Sequence, residues 1–108
     1  MTKETPQVQQ WLSQAQAYQQ QLQQVLVQKE QFKLQLTEIK KALEEMDKTK
    51  EDIYKIAGPI LVKASKADVK KELDEKAELL EMRVKTLEKG ESKLKTQFEE
   101  LREKISKS

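Results

Sequence analysis

Cysteine and histidine are both absent from the 108 residues. Without cysteine there is no disulfide framework and no thiolate metal site, and without histidine the other usual zinc and copper ligand is missing too. Glycine is almost as scarce. Gly58 and Gly90 are too few and too far apart for a loop that cradles phosphate. No stretch approaches the roughly 18 apolar residues of a membrane span. The segment Met1 to Trp11 also lacks the cationic and apolar blocks of a signal peptide, so a cytoplasmic location is expected. Neither sign of charge dominates: 21 Lys and Arg face 19 Asp and Glu, for a net charge of +2. Nucleic acid attracts a one-signed patch and is not the expected partner. The adjacent pairs Glu44-Glu45 and Glu99-Glu100 point in different directions on a helix and read as solvated surface charge. No enzyme activity, cofactor, metal site or membrane association is expected.

With 36% apolar and 5% aromatic residues, the chain cannot fill a thick globular core. What it has is two narrow heptad seams. In the first, Val8, Ala15, Leu22, Lys29, Leu36 and Leu43 occupy a, while Trp11, Tyr18, Val25, Phe32, Ile39 and Met46 occupy d. In the second, Leu73, Leu80, Leu87, Leu94 and Leu101 occupy d, while Ala77, Val84, Glu91, Phe98 and Ile105 occupy a. Only Lys29 and Glu91 are not apolar. Spacings that alternate three and four residues keep one stripe turned toward a partner helix. The expected fold is mainly α, a long antiparallel coiled-coil hairpin forming a single domain over 1–108.

Thr5 before Pro6 reads as an N-cap followed by proline at the first helical position, and helix one is expected over 6–50. Its outer half is polar but nearly uncharged. Through Leu36 the charged residues are Lys3, Glu4, Lys29, Glu30 and Lys33, while glutamine occurs thirteen times. The heptad breaks over 52–65, where Ile53, Tyr54 and Ile56 precede Gly58-Pro59 and Ile60, Leu61 and Val62 follow it. This predicts a β-hairpin. A lone two-stranded hairpin is marginal in water, so these six residues are expected to pair with strands of other chains. Ser65 with Asp68 resembles a capping box, and helix two is expected over 66–106. Gly90 lies inside it and costs about 1 kcal/mol relative to alanine.

In antiparallel packing each a residue faces a d residue, and the turn allows two registers; the preferred one sets Leu43 against Leu73, Leu36 against Leu80 and Trp11 against Ile105, because the other leaves Trp11 without a partner. Under either register Lys29 and Glu91 lie one layer apart, within reach of each other. Their interaction is expected, either as a pin against slippage or as two stems that snorkel to water.

Several segments together resemble the β-class subunit of prefoldin, especially archaeal ones: Pro6-Gln7-Val8-Gln9, Tyr18-Gln19-Gln20-Gln21-Leu22, Lys41-Ala42-Leu43-Glu44-Glu45, Ile53-Tyr54-Lys55 and Gly58-Pro59-Ile60-Leu61-Val62-Lys63. The resemblance covers nearly the whole chain, and a single central hairpin fits the β class. It implies a hexamer of two α-class and four β-class subunits, whose hairpins assemble into β-barrels. It also implies an ATP-independent holdase that captures unfolded proteins and passes them to a group II chaperonin.

The residues make that capture physically sensible. Terminal seam positions lack a next layer, so Val8, Trp11, Leu12, Leu101 and Ile105 are expected to form a distal client-binding tip, repeated on several subunits and acting by avidity. The glutamines read first as a solvated helix face. Two other functions compete: a tethering coiled coil with no client role, and a basic arm that contacts RNA. The clustered apolar strands argue against the first, and the balanced charge against the second.

Overall fold

The computed structural model describes residues 5–108. Its elements are α1 (Pro6–Lys48), β1 (Ile53–Ala57), β2 (Ile60–Ala64) and α2 (Lys66–Lys107). The start of α1 follows from its cap. Thr5 Oγ1 accepts a hydrogen bond from Val8 N at 3.2 Å, and Thr5 O accepts from Gln9 N at 3.0 Å, while Pro6 fills the first helical position, whose N–H has no helical acceptor. At α2, Ser65 Oγ accepts from Asp68 N at 3.5 Å, the forward half of a capping box. α1 ends at Lys48, two residues short of the expected limit. There Thr49 turns its hydroxyl to accept from Glu51 N, a local bond that competes with helix continuation.

The two strands pair antiparallel from Ile53 opposite Ala64 to Ala57 opposite Ile60. That leaves Gly58 and Pro59 as a two-residue loop. Gly58 has φ of 61°, the left-handed value that a type II′ hairpin turn requires at its first central position. Pro59 follows where a fixed negative φ is needed.

The chain divides into two compact units, Gln31–Val84 and the described residues through Glu30 together with Lys85–Ser108. In Gln31–Val84, Ile39, Leu80 and Val84 are buried, and Phe32, Leu36, Leu43, Met46, Leu73 and Ala77 are half-buried. Leu79 is 48% exposed beside Leu80 at 3%. Identical side chains one position apart meet opposite environments because the neighbouring helix covers a single stripe. The Arg83 guanidinium lies 5.8 Å from the centre of the Phe32 ring, a cation–π distance. Further along, Ile39 and Ala42 share a groove with Leu73 and Lys76. As α1 advances from Phe32 to Ala42 its neighbours on α2 retreat from Arg83 to Leu73, so the helices are antiparallel. The groove agrees with the register that sets Leu43 against Leu73.

The other unit buries Val8 and Leu101 and half-buries Trp11, Ala15, Tyr18, Leu22, Val25, Leu87, Leu94, Phe98 and Ile105. Glu91 is buried among them. Lys29 Nζ donates to Glu91 Oε2 at 2.6 Å, and Lys95 Nζ donates to Glu91 Oε1 at 3.2 Å. Both carboxylate oxygens therefore have a cationic donor, which is how a charge is tolerated on an apolar seam. The hydrogen bond to Glu91 raises the pKa of Lys29 above its ordinary 10.5, against the opposing effect of burial. The hydrogen bonds from Lys29 and then Lys95 hold Glu91 below its ordinary 4.5.

This packing has consequences for stability. Leu80→Ala should lower unfolding free energy by about 2–5 kcal/mol and Leu79→Ala by no more than about 0.5 kcal/mol; equal losses in urea titrations would contradict the seam. Glu91 binds its proton more weakly when folded, so its contribution is present above 4.5 and fades as pH falls through the lower folded value. Lys29 holds its proton more tightly when folded, so its contribution is present below 10.5 and fades above it. The stability gap between the parent chain and Glu91→Gln should stay level across the neutral range and narrow in acid and in strong base. A gap that widened on acidification would refute the link.

Candidate functional site

The β-hairpin is where the chain departs most from what a folded protein does with apolar side chains. Residues opposite one another in a sheet share a face, and the face alternates along the strand. Ile53, Lys55 and Ala57 therefore lie with Ala64, Val62 and Ile60 on one face, and Tyr54 and Ile56 lie with Lys63 and Leu61 on the other. Ile53 is half-buried at the root. Beyond it, Tyr54, Ile56, Ile60, Leu61 and Val62 are all exposed, Ile56 at 76% and Leu61 at 69%. Among the described residues the sheet has only these two strands, so each has one edge whose N–H and C=O groups meet no other described strand. Apolar residues on both faces and an open ladder on both edges are what natural proteins usually cover or blunt.

Ion pairs hold the hairpin at its base. Lys55 Nζ lies 2.8 Å from both carboxylate oxygens of Glu72, Lys63 Nζ lies 3.4 Å from Asp52, and Lys66 Nζ donates to Thr49 O. Each is exposed and individually weak; the first ties β1 to α2, the second ties β2 to the residue before β1, and the third ties the start of α2 to the residue after α1. Beside them an open groove of about 450 Å³ is floored by Ala42, Met46, Val69 and Leu73, with Ile53 and Tyr54 also in its lining. The strand residues were legible from their β-branched clustering. The groove was not, because Val69 lies off the seam and joins Ile53 only through the turn.

The distal residues are arranged differently. Val8 and Leu101 are buried, Trp11 and Ile105 are half-buried, and Leu12 alone of the five is exposed, at 40%. All five belong to the same compact unit. Four of the five thus have most of their surface turned away from water. Lys29 and Glu91 are joined, as described above. Their third member, Lys95, was missed in the sequence although it lies four residues after Glu91, the spacing that places two side chains on one helix face.

Among the described residues, no helix is long and apolar enough to cross a membrane, and no cluster of three or more Asp or Glu is placed to hold a metal ion.

Comparison with known proteins places this geometry. Residues 9–108 match the family model described as prefoldin subunit. The chain is 53% identical over 53 residues to the prefoldin subunit beta of Methanococcus maripaludis, an alignment covering 49% of this chain and 47% of that one. It is 48% identical over 52 residues to the prefoldin subunit beta of Sulfurisphaera tokodaii, covering 48% and 42%. The matched region therefore spans about half the length of these curated relatives, or somewhat less. The crystal structure of the prefoldin beta subunit from Thermococcus strain KS-1 superimposes with a TM-score of 0.92 at 43% identity, covering 99% of this chain and 96% of that one. The fold of two long helices joined by a β-hairpin is shared along nearly the full chain, and the protein belongs to the prefoldin family as a β-class subunit.

Proposed function

We propose that this chain is a non-catalytic subunit of an ATP-independent holdase, in which residues 1–108 act as one domain, the hairpin builds the oligomer and the distal seam ends hold unfolded proteins. The observation that carries the reading is the exposure of Tyr54, Ile56, Ile60, Leu61 and Val62 on a sheet with two open edges. Fully burying a side chain of this size is worth about 1.5–3 kcal/mol, so a hairpin that leaves five of them in water is suited to covering by neighbours. Strands from other subunits supply both the missing backbone partners and the apolar contact, and closure into a barrel removes the edges altogether. Family membership supports a hetero-oligomer of two α-class and four β-class subunits acting in the cytoplasm. In that assembly, clients held at Val8, Trp11, Leu12, Leu101 and Ile105 pass to a group II chaperonin.

A subunit that tethers without binding clients has the same seam, and what separates the two readings is the clustered apolar strands together with the distal end. The uncharged stretch of α1 from Pro6 to Gln28 favours capture. It repels clients of neither sign, and its glutamines offer donors and acceptors to any backbone.

Two measurements test the reading. Ile60→Asp or Val62→Asp should leave helical circular dichroism essentially unchanged while shifting size-exclusion elution to the monomer; an unshifted peak would show that the strands do not assemble the protein. Trp11→Ala with Ile105→Ala should preserve assembly and weaken suppression of aggregation of denatured lysozyme severalfold, by loss of a repeated weak contact. Full suppression by that variant would remove the distal end as the client site.

A further inference from the structure

We propose that Gly90, Glu91, Lys29 and Lys95 form a latch, at which α2 opens locally so that the distal ends of α1 and α2 part and close again. This deepens the client-binding reading and rests on it. Two observations and one consequence of the client-binding reading converge on the latch.

The first is a glycine that neither packing nor backbone geometry requires. Gly90 lies inside α2, and its φ is not positive. A Cβ built on it meets nothing within 4 Å, so alanine would fit and would hold the helix better. What glycine supplies at such a position is backbone freedom.

The second is the chemistry of the adjacent layer. A leucine layer that opens puts apolar surface into water with nothing in return. When the Glu91 link opens, the carboxylate and both ammonium groups recover hydration, which offsets much of the lost attraction. Compared with the leucine layers of Leu87 and Leu94 on either side, the layer next to Gly90 is therefore less penalised on opening.

The third is that the residues proposed to meet clients are largely hidden. Val8 and Leu101 are buried, so a client reaches them only in an opened form, and a protein supplies that form from a minor population. Leu94, Phe98, Leu101 and Ile105 all lie on the distal side of Gly90, so a break there frees them as a group.

The absence of cysteine allows a direct test on the assembled protein. Leu101→Cys places one thiol at a buried distal position, and Leu80→Cys, in a separate chain, reports global unfolding. Each is combined with the parent latch or with Lys29→Leu, Gly90→Ala and Glu91→Leu together. N-ethylmaleimide should modify Cys at 101 about fivefold more slowly in the stiffened chain, with a smaller change at 80 and with slower hydrogen exchange over 86–98. In chains without the added cysteine, stiffening should slow capture of denatured lysozyme by a similar factor while leaving the assembly mass unchanged. Restoring Gly90 in the stiffened chain should recover part of both rates. If the triple variant loses helix content, Gly90→Ala alone is used in the same assays.

Equal alkylation and exchange in the two backgrounds would overturn the latch, and so would slower alkylation with unchanged capture. Capture that survives stiffening but is lost in Trp11→Ala with Ile105→Ala sinks the latch alone. Capture that survives both sinks the client reading on which it rests.

Discussion

Everything in this structure depends on one stripe of side chains, three and four residues apart, finding a facing stripe on a second helix. The seam is thin: two helices cannot enclose a residue on all sides, and even Ile39, Leu80 and Val84 retain a few per cent of their surface. Within each unit stability therefore accumulates along the helices, layer by layer. A change in one layer acts locally, so a polar layer or a glycine can soften one place without unfolding another.

The hairpin is the counterpart of that thin seam. A sheet of two five-residue strands has too little area to bury its own apolar residues, and the helices cover only its root. The surplus of exposed Ile, Leu, Val and Tyr follows from that shortage of area. Lys55 and Lys63 fit the same picture. Each is drawn to a carboxylate at the base, which steadies the sheet while leaving its faces and outer edges open to neighbours.

Charge divides the molecule in another way. Nearly all of it sits on α2 and on the second half of α1, while the first half of α1 carries glutamine. On the seam itself the one acidic residue has two basic partners. Directional bonds of this kind tolerate little sliding, whereas leucine layers tolerate more.

Local rules written along the chain were enough to set the helices, their limits to within about two residues, the hairpin between them and the residues on each seam. Those rules are heptad spacing, capping hydroxyls, a glycine that accepts positive φ and β-branched residues in a run. They also placed Lys29 within reach of Glu91, because either register the turn allows brings them near. Whatever needed a second surface emerged only on folding. Lys95 completes the carboxylate's shell, the root groove forms where Val69 and Met46 meet Ile53, and Val8 and Leu101 turn inward where their terminal position alone suggested an open patch. Periodicity names the face a side chain occupies, but how much of that face stays in water is fixed only when the opposing helix is in place.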